Sequence, residues 1–505
     1  MKRGGKQVLE TGTSISGIPH IGNASDVIRA DAIRKVLEER RVPVELIWVA
    51  DDSDPFRKVP MGMEKLKDYL GFPVKDIPDP YGCHKNFVEH FVTKFIDELA
   101  DFGVKPKIYS ATELYRSGSL NEEIKVAFQK TKEIAAILNK FREVPLPENY
   151  IPWTPICEKC GRISTAKAVS VEGTKVKYVC QNTQVSGGEA QGCGYEGESD
   201  YLKGMGKMPW RVEWAARWHH FKVTCEPLGK EHAAAGGSFW TSIEVSKDVF
   251  GWEPPVPVIY EFFTLNGAKI SSSKGNVIVL SEWETICEPA VLKFLMYKRL
   301  NKQRDISLPT IQQLVDEYDE AERFYFGQGG ADEEGIKAKR SYQLSQVMNE
   351  PKYLQIPFTL CTTLSQIVPD LDIEKISKKL TALGYKDFDK ERLRRRLIVS
   401  KKWVETLGPE NLRFRLLTDQ ESKEEYNKLD SKQKDALAKL FKEIEAGHTP
   451  EAFHKRIYET ARSVELKPDQ LFEAVYKVLI GKVRGPKAAS FILTLDKEFV
   501  QSRFT

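Results

Sequence analysis

Nowhere in its 505 residues does the chain hold an apolar run of about eighteen residues, the length a membrane-crossing helix needs. That absence excludes a helical membrane protein. The opening MKRGGKQVLETG carries basic residues but no apolar stretch behind them, so no secretory leader is expected and the cytoplasm is the expected compartment. Charge of one sign is also missing: 76 Lys and Arg stand against 72 Asp and Glu, a net charge of +4. Any surface for nucleic acid must therefore be a local patch rather than a field over the whole molecule. No internal repeat and no low-complexity tract occurs, which excludes solenoids and disordered arrays. Of the eight cysteines, in a long chain without export signals, four are spaced as metal ligands rather than as part of a disulfide framework. What is present, 41% hydrophobic and 29% charged residues, suits a multidomain globular protein with more than one core.

The first fifty residues predict a βαβ opening. A short strand over Gln7 to Glu10 leads into the turn TGTSISGIPHIGN. A helix follows from about Asn23 to Arg41, with Ile28, Ala32 and Val36 at spacings of four. VELIWVA (Val44 to Ala50) is a continuous apolar run of strand length, as a strand buried on both faces requires, and it ends in DDSD. In such a sheet ligands lie beyond the carboxyl ends of the strands, so the first turn and the DDSD cluster should face one crevice. A second helix is predicted over Asn86 to Asp101, with Phe87, Phe91, Phe95 and Leu99 on one face. The fold expected is an α/β Rossmann-like parallel-sheet catalytic domain with a small zinc-binding insert, followed by an all-α C-terminal half. Its expected divisions are residues 1–145, the first half of the sheet domain, and 146–206, an insert rich in Gly, Pro and Cys. The sheet then resumes around Trp210 within 207–300, and 301–505 is helical.

Two short segments have the composition of phosphate-binding elements. PHIGN (Pro19, His20, Ile21, Gly22, Asn23) lies where the first strand feeds the first helix. There a glycine lets backbone approach a phosphate, and the helix N-terminus and an imidazole N–H supply positive potential. KISSSKGN brings Lys269, Ile270, Ser271, Ser272, Ser273 and Lys274 together just before a glycine. Its lysines can close on a leaving pyrophosphate. Standing near the two ends of one α/β region, the pair resembles the HIGH and KMSKS signatures of class I aminoacyl-tRNA synthetases. The departures from those signatures, Asn23 for the last histidine and Ser272 with Lys274 in the loop, are those of the class I lysyl-tRNA synthetases. DDSDPFRKVP, DPYGCH, LPEN, WRVEWAARW, EPLGKEH, YEF and GKVRGPKAASF also look like that family's segments, so the resemblance spans almost the whole chain. The family's short helical extension before the first strand is not matched.

The resemblance implies activation of L-lysine with ATP and Mg²⁺ and transfer to tRNA(Lys), the 2′-hydroxyl being acylated first. His20, Asn23, Lys269 and Lys274 would be the groups on the phosphates. It also implies a lysine pocket at Gly12, Ser14, Trp210, His232 and Tyr260. An acid is needed for the ammonium, and Asp51, Asp52 and Glu213 are candidates, each of which has an alternative as a Mg²⁺ ligand, a helix cap or an orienting group. Cys157 and Cys160 have the spacing of a zinc knuckle and, with Cys180 and Cys193, supply four thiolates for a structural Zn²⁺ in an insert with little core. Asp79, Cys83, His84 and His90 read equally as a cap, a buried thiol and surface histidines, and the resemblance implies a second structural zinc there. In the helical half the resemblance implies an anticodon-binding cage. Arg392, Arg394, Arg395, Arg396, Lys401, Lys402 and Trp403 are its densest basic cluster with an aromatic, alternatively a solvated helix face. A monomer is expected. The nearest rivals are a glutamyl-type enzyme on the same fold, which needs a basic pocket, and a catalytically silent tRNA-binding paralogue.

Overall fold

In the computed structural model, which describes residues 4–15, 17–270, 275–328, 332–347, 350–446 and 448–505, five parallel strands form the central sheet. They are β1 (Gln7–Thr13), β2 (Val44–Ala50), β3 (Lys107–Ser110), β4 (Cys225–Gly229) and β5 (Val256–Tyr260), in the order β5-β4-β1-β2-β3. Chain order reverses between β1 and β4, which is the switch point at which open parallel sheets bind ligands. β1 and β2 pair in register from Gln7 with Val44 to Thr13 with Ala50. Leu46 to Ala50 are all buried, as the uninterrupted apolar run required.

Helix α1 (Ile21–Glu39) lays Ile21, Ala24, Val27 and Ile28 into the core. Helix α2 (Phe87–Asp101) is capped by the Asn86 side chain, which accepts from Glu89 N at 2.9 Å, and buries Phe87, Phe91, Phe95 and Leu99. Residues 210–221, expected at the return of the sheet, are instead helix α3 (Trp210–Phe221), and the sheet returns at β4. The reason lies in the spacing: Trp210, Trp214, Arg217 and Trp218 fall three and four residues apart, a helical face that packs as one. Between β3 and α3, strands Ala166–Glu172, Lys175–Cys180 and Glu196–Asp200 form a small antiparallel sheet. The cluster of buried residues at the cysteines is only Cys157, Ala166, Tyr178 and Cys180.

The chain divides into two compact units, Met1–Leu280 with Met296–Ile306, and Ser281–Leu295 with Ser307–Thr505. Among the described residues the second unit is helical throughout. One of its cores gathers Leu437, Phe453, Ile457, Leu471, Leu479 and Phe491. No helix among the described residues is long and apolar enough to cross a membrane.

Candidate active site at the switch point of the sheet

The carboxyl ends of β1, β4 and β5 and the N-terminus of α1 enclose a cavity of about 510 Å³, within the range that holds small-molecule ligands. On one wall stands the start of α1. The His20 backbone N–H donates to Asn23 Oδ1 and Gly22 N–H donates to His20 Nδ1, both at 3.0 Å, so two backbone donors at the helix start are satisfied by side-chain acceptors. A Cβ on Gly22 would come within 2.7 Å of the imidazole, so only glycine lets His20 fold back as a cap. Burial lowers the His20 pKa to about 4, which makes the ring neutral near pH 7. With Nδ1 accepting, its one proton sits on Nε2. The imidazole is thus a hydrogen-bond donor without a full charge. Ile21 N–H donates to Ile278 O at 3.1 Å, which ties the start of α1 to the segment just past KISSSKGN. Lys269 and Ile270 line the cavity. Ser271, Ser272, Ser273 and Lys274 lie outside the described residues.

The opposite wall is aromatic. Trp210 stacks on Trp214 with centroids 5.1 Å apart and planes at 19°, and Trp214 meets the His232 ring edge-on at 5.5 Å. His232 Nδ1 lies 3.1 Å from Ser238 Oγ, and burial lowers its pKa. Tyr260 O–H donates to Asp26, with the Arg29 guanidinium 3.9 Å over its ring. Ser14 Oγ donates to Asp54 Oδ2 at 3.4 Å.

Beneath these walls runs a layer of buried charge. Arg217 reaches Asp51 at 2.6 Å and Glu10 at 3.2 Å, while Lys207 reaches Asp54 at 2.5 Å and Glu213 at 2.9 Å. Glu226, at the floor, accepts from Trp214 Nε1 at 3.0 and 3.1 Å and from Trp218 Nε1 at 2.5 Å. Burial, and then the neighbouring Glu10, raise its pKa well above the carboxylate range. Gly12, Ser14, His20, Gly22, Asn23, Asp51, Trp210, His232, Tyr260, Lys269 and Ile270 thus share one cavity.

A family profile described as tRNA synthetases class I (K) matches residues 1–348. The chain is also 37% identical over 519 residues to the lysine–tRNA ligase of Methanosphaera stadtmanae, covering 98% of this chain and 95% of that one. With the lysine–tRNA ligase of Methanocaldococcus jannaschii it shares 36% identity, over 100% of this chain and 97% of that one. The chain belongs to the class I (K) tRNA synthetases. Among solved structures it is similar to a glutamate tRNA ligase from Elizabethkingia meningosepticum, at 13% identity and a TM-score of 0.40, covering 99% and 98% of the two chains.

In this class I (K) chain several expected site residues lie elsewhere. Pro19 and Ile21 are buried behind the cavity wall. Asp52 and Glu213 require correction as partners for a ligand, because both are fully buried away from the cavity. Asp52 accepts from Ser110 Oγ at 2.6 Å and Thr112 N at 2.8 Å, which makes it a brace for the helix that starts there, and Glu213 is held by Lys207. Glu226 also lines the cavity, although an acid in the string EPLGKEH carries no sign of its depth. The available signal was its place at the start of a strand that runs into the crevice.

Two clusters among the described residues have the donors for a metal ion. Sγ of Cys157 and Cys193 are 3.7 Å apart and those of Cys160 and Cys180 3.6 Å, too far for a disulfide. Four sulfurs about 2.3 Å from a central tetrahedral ion would be about 3.8 Å apart, so this set fits Zn²⁺. In the other cluster, Cys83 Sγ lies 3.1 Å from His84 Nδ1 and 3.2 Å from His90 Nδ1, and His90 Nδ1 lies 3.4 Å from Asp79. Backbone N–H groups of Tyr81, Cys83 and His84 donate to Asp79 at 2.7–3.0 Å and fix its carboxylate there.

The basic run of the helical unit lies on α4 (Lys390–Thr406), and its helical phase divides it. Arg394, Arg395 and Lys402 are exposed, flanking Ile398, while Lys401 donates to Pro369 O at 2.6 Å. Arg396 and Trp403 are corrections: both are fully buried. Arg396 bonds Asp319 at 2.7 and 2.8 Å, and Trp403 Nε1 donates to Leu308 O at 2.7 Å. They lie on the same face as Leu393, Leu397 and Val404, a phase already visible in the sequence.

Proposed function

We propose that the chain is a lysine–tRNA ligase, which activates L-lysine with ATP and Mg²⁺ and transfers it to tRNA(Lys). The observation that carries this reading is the two-sided cavity, with a capped helix start on one wall and an indole pair above buried carboxylates on the other. The first suits a polyphosphate and the second an alkyl cation. The lysine carboxylate attacks the α-phosphorus, forming the acyl–phosphate bond as the bond to pyrophosphate breaks. A terminal ribose hydroxyl of tRNA then attacks the acyl carbon and AMP leaves. Neither step needs a protein nucleophile, so positioning and charge stabilisation do the work.

In this reading His20 offers a neutral N–H and Asn23 an amide to the phosphates, while Lys269 and Lys274 neutralise the departing pyrophosphate. Gly12, Ser14, Trp210, His232 and Tyr260 form the amino-acid pocket. The Cys157, Cys160, Cys180 and Cys193 set holds a structural zinc that consolidates the insert of 146–206. The Asp79, Cys83, His84 and His90 set holds a second one. Residues 301–505 bind the tRNA, with Arg394, Arg395, Lys401 and Lys402 among the groups on its phosphates. ATP–pyrophosphate exchange with each amino acid, in the presence of tRNA, tests the assignment. Exchange is expected with lysine, and exchange that depends on glutamate or on no amino acid would overturn it.

A further inference from the structure

Leu9 of β1 is the register partner of Cys225 of β4, so Glu10 and Glu226, the next residues along two parallel strands, stand side by side on one face of the sheet. Two buried carboxylates in that relation repel each other and persist only where positive charge compensates them. For Glu10 the compensation is Arg217, at 3.2 Å. Asp51, Asp54 and Glu213 likewise each have Arg217 or Lys207 at hand. Glu226 alone among these five has no cation within 4.0 Å among the described residues, although it is only 6% exposed. Two indole N–H groups hold it instead, and a carboxylate has about four acceptor positions, so it retains capacity towards the cavity it lines. Glu10 does not line that cavity.

We propose that Glu226 is the specificity residue that accepts the side-chain ammonium of lysine, with Trp214 and Trp218 as the residues that position its carboxylate. The inference rests on the lysine reading above. The ammonium supplies the positive charge that the buried layer lacks, and the Trp210–Trp214 pair provides a wall for the alkyl stem. Asp51, although it lines the cavity, is already bonded to Arg217 at 2.6 Å. The raised pKa of Glu226 agrees with a carboxylate awaiting a cation.

Calorimetric titration of the full chain with L-lysine and with 6-hydroxy-L-norleucine, equal in length but uncharged, tests this. The wild type is expected to prefer lysine. Glu226→Gln, which keeps an acceptor for the indoles, is expected to reduce that preference by about 100-fold while its affinity for the hydroxyl analogue changes little. Displacement of Trp214 alone would weaken both ligands together. Glu226→Asp, with the charge set back by one methylene, is expected to lose part of the preference, and serves if the Gln variant does not fold. Preference unchanged in these variants, or lost in Glu10→Gln and kept in Glu226→Gln, overturns the role of Glu226 and leaves the lysine reading intact. A wild type that binds no lysine overturns both.

Discussion

Both compact units bury charge, but they balance it differently. In the helical unit Arg396 is clamped by Asp319 on two bonds, by Glu288 at 3.0 Å and by the carbonyl of Ile356, and Arg392 bonds Glu322. Each of those acids touches a guanidinium. In the layer beneath the crevice of the sheet unit, Glu10, Asp51, Asp54 and Glu213 each have a cation and Glu226 has indoles alone. Buried charge that is fully paired serves structure, and its removal leaves an orphan behind. A buried acid that no cation touches can serve recognition.

The sharpest way to break this contrast is to neutralise one member of each network. Arg396→Ala strands Asp319 and Glu288, and should cost about 3–5 kcal/mol of stability in denaturant unfolding. Glu226→Gln should cost little, and the sign of its pH dependence is set. Burial raises the Glu226 carboxyl above its ordinary value of 4.5, so the folded chain holds this proton more tightly than the unfolded one. That contribution is complete below the ordinary value and is lost as pH rises through and beyond it, so the Gln variant should gain on the wild type from acid towards neutral pH. Equal losses in the two variants at pH 7 would erase the distinction.

Smaller in energy but direct for catalysis is His20→Ala, which removes both the cap and a neutral donor. Pyrophosphate exchange is expected to fall by about 10²-fold in kcat with little change in KM for lysine. A change confined to KM would move His20 out of the phosphate site. Cys160→Ser should lower the metal content of the purified chain by one zinc and expose 146–206 to proteolysis, since the core beside the cysteines is only a few residues. Unchanged metal content would refute the four-thiolate site. The smallest effect belongs to the exposed face of α4. Arg394→Ala with Lys402→Ala should raise KM for tRNA about tenfold and flatten its salt dependence, leaving lysine-dependent exchange as it was. No change in either would make that face a solvated one.

How much of this could be read beforehand follows from what determines each feature. VELIWVA gave β2 because a strand covered on both faces has no polar residue to interrupt it. Cys157 and Cys160 were legible because ligand spacing is local, and His20 because its turn precedes a helix. Helix α3 was legible in principle, because its tryptophans repeat at helical spacing. The burial of Trp403 and Arg396 was legible too, in the helical phase they share with Leu393, Leu397 and Val404, although a basic residue in a run of cations is ordinarily on the surface. Glu226 was beyond local reading, because what marks it is the lack of a cation in contact and the neighbouring Glu10 on β1, far away in sequence, although its indole partners on α3 are close by in the chain.

The most direct measurement is a structure of the chain with L-lysine bound, in which the position of the side-chain nitrogen is observed. The account predicts that nitrogen within hydrogen-bonding distance of the Glu226 carboxylate, with the stem along the Trp210–Trp214 wall. A nitrogen bonded to Asp51, or to Glu231, which also lines the cavity, with Glu226 still held only by its two indoles, would contradict it.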